Sequence, residues 1–188
     1  MTDQTRQTAR TVLRMFTPDD LDDLAAIFGN ANVMKYLGLD CKPISREETE
    51  LAIISMINSW KERNFGRWAV IGKENKRLIG CAGFRSFDES AELFYILDEP
   101  YWGRGLATEI AAECLRFGFE EREFNSITGF TRPENTASRK VMDKIGMRFD
   151  GDVTVFGVNA VRYVINREEY ESSINSQLSS NEPFNLTL

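Results

Sequence analysis

The apolar run AELFYIL (91–97) feeds directly into YWGRGLATEIAAECL (101–115), and this pair constrains the fold more than any other stretch of the chain. Apart from Glu92, the first segment is apolar on both faces, as a central strand covered from two sides requires. Asp98-Glu99-Pro100 ends it. Leu106, Ile110, Cys114 and Phe117 then recur at helical spacing, which predicts a helix over 104–121. Gly103 and Gly105 flank Arg104 at its mouth. The first turn of a helix leaves about four N–H groups without partners. They lie at the positive end of the helix dipole. Glycine removes the Cβ that would block an approaching ligand. The stretch therefore reads as a seat for an anion, phosphate in the first place.

The remaining segments supply the frame around it. TVLRMFT (11–17) reads as a strand, and Thr17-Pro18-Asp19-Asp20 opens a helix with Leu21, Leu24, Ala25 and Phe28 as its apolar stripe. Ser45 with Glu48 is a capping-box pair for a second helix over 45–63, whose expected buried side is Leu51, Ile54, Ile57 and Trp60. GRWAVIGKE, RLIGCAGFRSF and AELFYIL form a strand meander with turns at Lys73-Glu74-Asn75-Lys76 and Asp88-Glu89-Ser90. SITGFTR is a further strand, Pro133-Glu134-Asn135-Thr136 opens a helix that ends at Gly146, and strands follow over 147–156 and 160–166. The order βααβββαβαββ predicts an α/β (α+β) domain with a mixed, mostly antiparallel central sheet of about seven strands and four helices. A strand–helix–strand passage around the glycines demands one parallel crossover. The expected division is a polar extension over 1–10, one domain over 11–171 and a polar tail over 172–188, weakly ordered or docked on a partner.

Composition removes whole classes of function. The chain of 188 residues has a formal net charge of -6, which argues against broad nucleic-acid or anionic-membrane binding. No stretch reaches the ~20 apolar residues of a membrane span, and the polar start MTDQTRQTAR has no signal-peptide core. Cys41, Cys81 and Cys114 are scattered, so neither a disulfide framework nor a metal site is expected, and a reducing cytoplasm fits. The chain has no histidine. That excludes Ser-His-Asp and Cys-His catalysis.

Gly103-Arg104-Gly105-Leu106-Ala107-Thr108 half-matches a dinucleotide fingerprint, with threonine at the third glycine place and an antiparallel meander before it. A nucleotide-dependent oxidoreductase is thus the weaker reading. Taken with TRPENTAS (131–138) and DKIGMRF (143–149), the run from Glu92 to Ala107 resembles the GNAT family of acetyl-CoA-dependent N-acyltransferases. The match to its ribosomal-protein N-terminal (alanine) acetyltransferase branch rests on Glu92, Tyr95, Pro100, Trp102, Gly103, Gly105, Ala107, Thr108 and Glu109. Trp102 stands where the wider family carries Gln or Arg. Element order extends the resemblance over 11–167, and the tight motifs cover 92–149.

The resemblance implies a fold in which strand 91–97 splays from its parallel neighbour and pairs with the pantetheine arm. Acetyl-CoA is then the co-substrate, and the acceptor is a primary amine on a protein N-terminus or a small molecule. The amides from Gly103 to Thr108, with Trp102 and Arg104 beside them, would meet the pyrophosphate, and a backbone N–H near Leu97 would face the thioester oxygen. Arg104 is equally a solvated arginine, and Trp102 reads better as a packing anchor.

Direct transfer needs a base for the amine, donors for an oxyanion and a proton for the leaving thiolate. Glu92 is the candidate base, alone or through water, against the alternatives of an edge residue or an ion pair. Asp88 is the weaker candidate. Met142 occupies the place of the family's proton-donating tyrosine and cannot donate, so Ser138 is the substitute the branch suggests. Asn135 is either a pantetheine ligand or a helix cap, and Arg139 either reaches the 3′-phosphate or faces solvent. Tyr36, in loop 31–43, is the candidate acceptor contact beside helix 45–63, with core packing as its alternative. The acidic whole-molecule charge favours a cationic acceptor. A non-catalytic CoA-binding module is the alternative function, and a homodimer through the late strands or the tail is an expectation of the same standing.

Overall fold

The computed structural model describes residues 4–87, 90–155 and 157–180. The expected turn at Asp88-Glu89, including Asp88 as a base, and the last eight positions of the tail lie outside the described residues.

Alternating strand patterns and short turns produce one open sheet in the order β1-β2-β3-β4-β5-β6-β8-β7. The strands are β1 (Arg6–Gln7), β2 (Thr11–Arg14), β3 (Arg67–Gly72), β4 (Leu78–Phe87), β5 (Ser90–Leu97), β6 (Ser126–Thr131), β7 (Arg148–Val155) and β8 (Val158–Asn166). The helices are α1 (Leu21–Phe28), α2 (Ala31–Met34), α3 (Arg46–Arg63), α4 (Leu106–Arg116), α5 (Thr136–Lys144) and α6 (Arg167–Ser180). Among the described residues only the β5–β6 pair is parallel, with α4 as its crossover. The expected topology therefore holds, and the counts of about seven strands and four helices are corrected, among the described residues, to eight and six. β1 and the one-turn α2 are too short to give a periodic signal, and the polar sequence of α6 hides its helix.

Both ends of the described chain join the body. The segment before residue 11 adds β1 and seats the Trp68 indole, which donates to the Gln4 carbonyl at 2.8 Å. α6 runs across the expected boundary at 171. Its Tyr170 stacks on Phe119 at 4.7 Å, and Arg167 donates to the carbonyls of Phe119 and Phe124.

Each face of the sheet carries its own core. Leu93, Leu97, Ile110, Cys114, Ile127 and Met142 belong to the face under α4 and α5. Leu24, Phe28, Ile53, Met56, Cys81 and Ile96 belong to the face under α1 and α3. The Ser45–Glu48 capping box forms as expected. The buried stripe of α3 forms only in part as expected: Trp60 is inside and Ile57 is partly buried, but Leu51 is 66% and Ile54 49% exposed, and Thr49, Ile53 and Met56 are inside instead. Thr49 tolerates burial because its hydroxyl donates to the Ser45 carbonyl at 2.8 Å.

Candidate active site

Strand pairing itself opens a cleft. β5 and β6 are paired through Ala91–Ile127, Glu92–Thr128 and Leu93–Gly129, and no further. On the other edge β5 stays paired with β4 as far as Gly80–Leu97. Asp98 N–H donates to the Ile79 carbonyl. Antiparallel residues alternate in the direction of their backbone groups, so those of Tyr95 and Leu97 point away from β4 into the gap beside β6. The Leu97 carbonyl is taken by the Trp102 indole N–H at 2.7 Å. Trp102 thus anchors the loop to the strand end, in keeping with the packing alternative.

At the open end of the gap lies the glycine loop. Gly103 and Gly105 sit at φ 72° and 75°, in the left-handed region, and Gly105 is the N-cap of α4. Glu109 N–H is bonded to the Gly105 carbonyl, which leaves the N–H groups of Leu106, Ala107 and Thr108 without an intrahelical partner. A Cβ on Gly103 would meet nothing within 4 Å, so this backbone faces open space. Arg104 is exposed and lies over the Tyr101 ring, 5.7 Å from its centre. Arg10 belongs to the site although its polar N-terminal segment carries no motif. It donates from its backbone and Nε to Glu109, and from Nη1 to the Arg104 carbonyl at 2.7 Å, clasping the loop.

A second loop straps the mouth. Asn30 and Asn32 donate to Glu99, just before the glycines, at 3.0 Å. Further on, Arg132 at the end of β6 donates to the Gly38 and Leu39 carbonyls at 3.1 Å. Tyr36 lies between these anchors, half-buried, with the Lys35 ammonium 4.9 Å from its ring centre and 5.9 Å from that of Trp102.

The two catalytic candidates stand on opposite faces of the sheet. Tyr95, on the α5 side, shares a hydrogen bond with the Ser138 hydroxyl at 2.8 Å and donates to the Ser138 carbonyl at 3.1 Å. Burial pushes the Tyr95 phenol up to about 12, against the opposing bond from Ser138. Tyr95 is the partner that a search for an isolated donor overlooks, because its two-strand neighbours read as core. Met142 is buried over Gly129, and its carbonyl accepts the Met147 N–H at the end of α5.

Glu92 is 3% exposed and held by Arg85, which donates to both carboxylate oxygens. It is therefore neither an edge residue nor solvent-facing. Each oxygen retains a lone pair for a water or an amine proton. Phe94, two residues on, shows it to be on the α1–α3 side.

Asn135 caps α5, its side-chain oxygen accepting the Ser138 N–H at 3.2 Å. Arg139 donates to the Tyr163 hydroxyl (3.4 Å) and the Pro133 carbonyl (3.3 Å) and stays partly exposed. Among the described residues, no group of three or more His, Cys, Asp or Glu side chains is arranged to hold a metal ion.

A single open sheet, a splayed parallel pair and a glycine-lined helix N-terminus at the gap form the setting for the comparisons with known proteins. The acetyltransferase (GNAT) domain model matches residues 10–148. The chain belongs to the GNAT acetyltransferase family. It is similar to an uncharacterised N-acetyltransferase, p20, of Bacillus licheniformis, with 30% identity over 79% of this chain and 84% of that one. A GNAT-family acetyltransferase from Bacillus anthracis shares the structure with a TM-score of 0.76 at 25% identity, over 88% of this chain and 99% of that one. A ribosomal L7/L12 alpha-N-protein acetyltransferase in complex with coenzyme A shares the fold, with a TM-score of 0.74 at 17% identity over 88% and 99%. This GNAT chain is an acetyl-transferring enzyme, and its family transfers acetyl groups to amines.

Proposed function

We propose that this enzyme moves the acetyl group of acetyl-CoA to a primary amine by direct attack within a ternary complex. The observation that carries this reading is the loss of β5–β6 pairing after Leu93–Gly129, which leaves cleft-facing backbone groups in line with the glycine loop. A pantetheine arm fits such a gap as an added strand, since it carries amides that exchange hydrogen bonds with Tyr95 and Leu97. The pyrophosphate would take the N–H groups from Gly103 to Thr108, with Arg104 alongside.

From Leu97 back to Leu93 the strand covers about 13 Å. The thioester end then lies near Leu93, beside Glu92 and well inside the position first expected at Leu97. In this reading Glu92 receives the amine proton directly or through a water held on its free lone pairs. The amine nitrogen attacks the thioester carbon, the C–S bond breaks and the thiolate leaves. Ser138 supplies the proton to sulfur and is resupplied by Tyr95, whose phenol is protonated at neutral pH. Asn135 serves through its cap, Arg139 borders the site, and Tyr36 forms part of the acceptor wall.

The acceptor classes within this reading are protein N-termini, ribosomal proteins included, and small amines. The two buried free thiols, Cys81 and Cys114, suit a reducing cytoplasmic setting. The exposed β7 edge is the surface through which a homodimer would form, and sedimentation velocity tests it.

Isothermal titration with acetyl-CoA, NAD and ATP tests the proposal. Micromolar binding of acetyl-CoA alone, followed by amine-dependent release of free thiol, is the expected result. Binding of none of the three would overturn it.

A further inference from the structure

Beside Glu92 lies a cation that the reaction scheme leaves unused. Arg67 on β3, Gly83 on β4 and Phe94 on β5 form one row across the sheet. Gly83 contributes no side chain, and a Cβ there would sit 2.2 Å from the Gly66 carbonyl oxygen. The Arg67 guanidinium reaches over it to 5.2 Å from the Phe94 ring centre, and Arg85 approaches the same ring at 5.0 Å. The next row holds Arg85 and Glu92, already paired to one another. Arg67 has no such mate: among the described residues its guanidinium makes no ion pair and no hydrogen bond. Burial holds it below the ordinary arginine value and Arg85 acts in the same direction, while Glu92, already paired with Arg85, opposes them only in part. The nearby Cys81 thiol offers no compensation, because burial pushes it up to about 11.

A half-buried guanidinium whose nearest carboxylate is already forked onto another arginine keeps its donors open for a second carboxylate. Among the described residues Arg67 thus presents a positive charge with no carboxylate of its own on the acceptor side of the cleft, opposite in sign to the molecule as a whole. We infer that the acceptor is a primary amine that also carries a carboxylate, bound by Arg67 over the Phe94 ring with its nitrogen directed at Glu92. This rests on the acetyl-CoA reading above. Phe94 and Glu92 are two residues apart on one strand, about 7 Å. The carboxylate and the amine are therefore a few bonds apart, as in a free amino acid or an acidic residue at a peptide N-terminus. An isolated guanidinium that can fork onto both carboxylate oxygens is suited to that group.

The test uses matched acceptors that differ only in charge. Aspartate, glutamate and methionine are compared with their amides, and peptides beginning Asp-Ala with peptides beginning Asn-Ala, by thiol release from acetyl-CoA. The wild-type enzyme should favour the acid member by about tenfold or more in kcat/KM, the scale of one charge-assisted bond. The amino-acid and peptide arms separate the two sources of the carboxylate. In Arg67→Gln the acid-over-amide ratio should fall to near one, and Arg67→Lys should retain part of it. Acetyl-CoA titration of each variant verifies that the fold and cofactor cleft persist. Amides that serve as well as acids, a preference that survives Arg67→Gln, or a panel that is inert while acetyl-CoA still binds would each overturn the inference. Failure of acetyl-CoA to bind the wild-type protein would instead remove the parent reading, and this one with it.

Discussion

In the proposed scheme the Ser138 hydroxyl gives one proton, and Tyr95 would decide how readily it is replaced. With the phenol 2.8 Å from that oxygen, Ser138→Ala should lower kcat by about 10² or more, the low end of general-acid contributions. Tyr95→Phe keeps the ring packing and removes only the resupply, so its loss should be smaller and confined to kcat. Acetyl-CoA affinity measured by titration should be the same in both variants. Equal kcat in Tyr95→Phe and wild type would reduce the phenol to a strut between β5 and α5. Glu92→Gln should also lower kcat. Here a positional effect must be separated from loss of the base, because the substituted amide would still accept one bond from Arg85. A chemical role shows as a fall in kcat with acetyl-CoA affinity unchanged and partial recovery in Glu92→Asp, which mere misplacement of the side chain would not give.

At the scale of elements, a buried polar contact fixes the joint between β2 and α1. Asp20 accepts from both terminal nitrogens of Arg14 and from the Thr17 N–H, joining the end of β2 to the start of α1. Burial alone would raise its pKa, but these bonds outweigh it and hold the carboxyl below the usual value. A depressed carboxyl contributes stability that is present above the unfolded value near 4 and is lost as pH falls through the folded one. Asp20→Asn should therefore cost about 1–2 kcal/mol at pH 7, and the deficit should shrink toward pH 2–3 in urea titrations. α3 gives a second test. Ile53→Ala should cost about 2–5 kcal/mol, whereas Leu51→Asp, on the exposed side, should stay within about 0.5 kcal/mol. Sequence patterning reverses these two because α3 has two adjoining apolar stripes. The stripe that is buried includes Thr49, whose hydroxyl is satisfied inside the helix. The glycine loop is legible by contrast, because left-handed backbone at a helix mouth demands glycine. Arg10 and Tyr95 are not, since their roles depend on partners 99 and 43 residues away.

At the scale of the molecule, the sheet is incomplete where β5 and β6 part, and a ligand that fills the gap joins the two cores. The free protein carries the cost of that opening, while the bound one gains the ligand's binding energy. With acetyl-CoA at about one hundred times its Kd, the gain is about 2.7 kcal/mol. For a domain of this size that raises Tm by about 5–10 °C. The shift depends on the loop as much as on the gap. Gly105→Val forces a branched side chain into backbone at φ 75°, at a cost of about 1–3 kcal/mol. It also crowds the proposed seat of the pyrophosphate. Its Tm should fall without ligand and should no longer respond to acetyl-CoA. Tyr170→Ala provides the contrast, because it removes the stacking of α6 on Phe119 far from the glycine loop. It should lower Tm comparably and keep the full ligand-induced shift. If both variants kept the shift, the glycine loop would be a turn that bears no phosphate. If both lost it, the cleft would depend on the whole sheet and not on the loop.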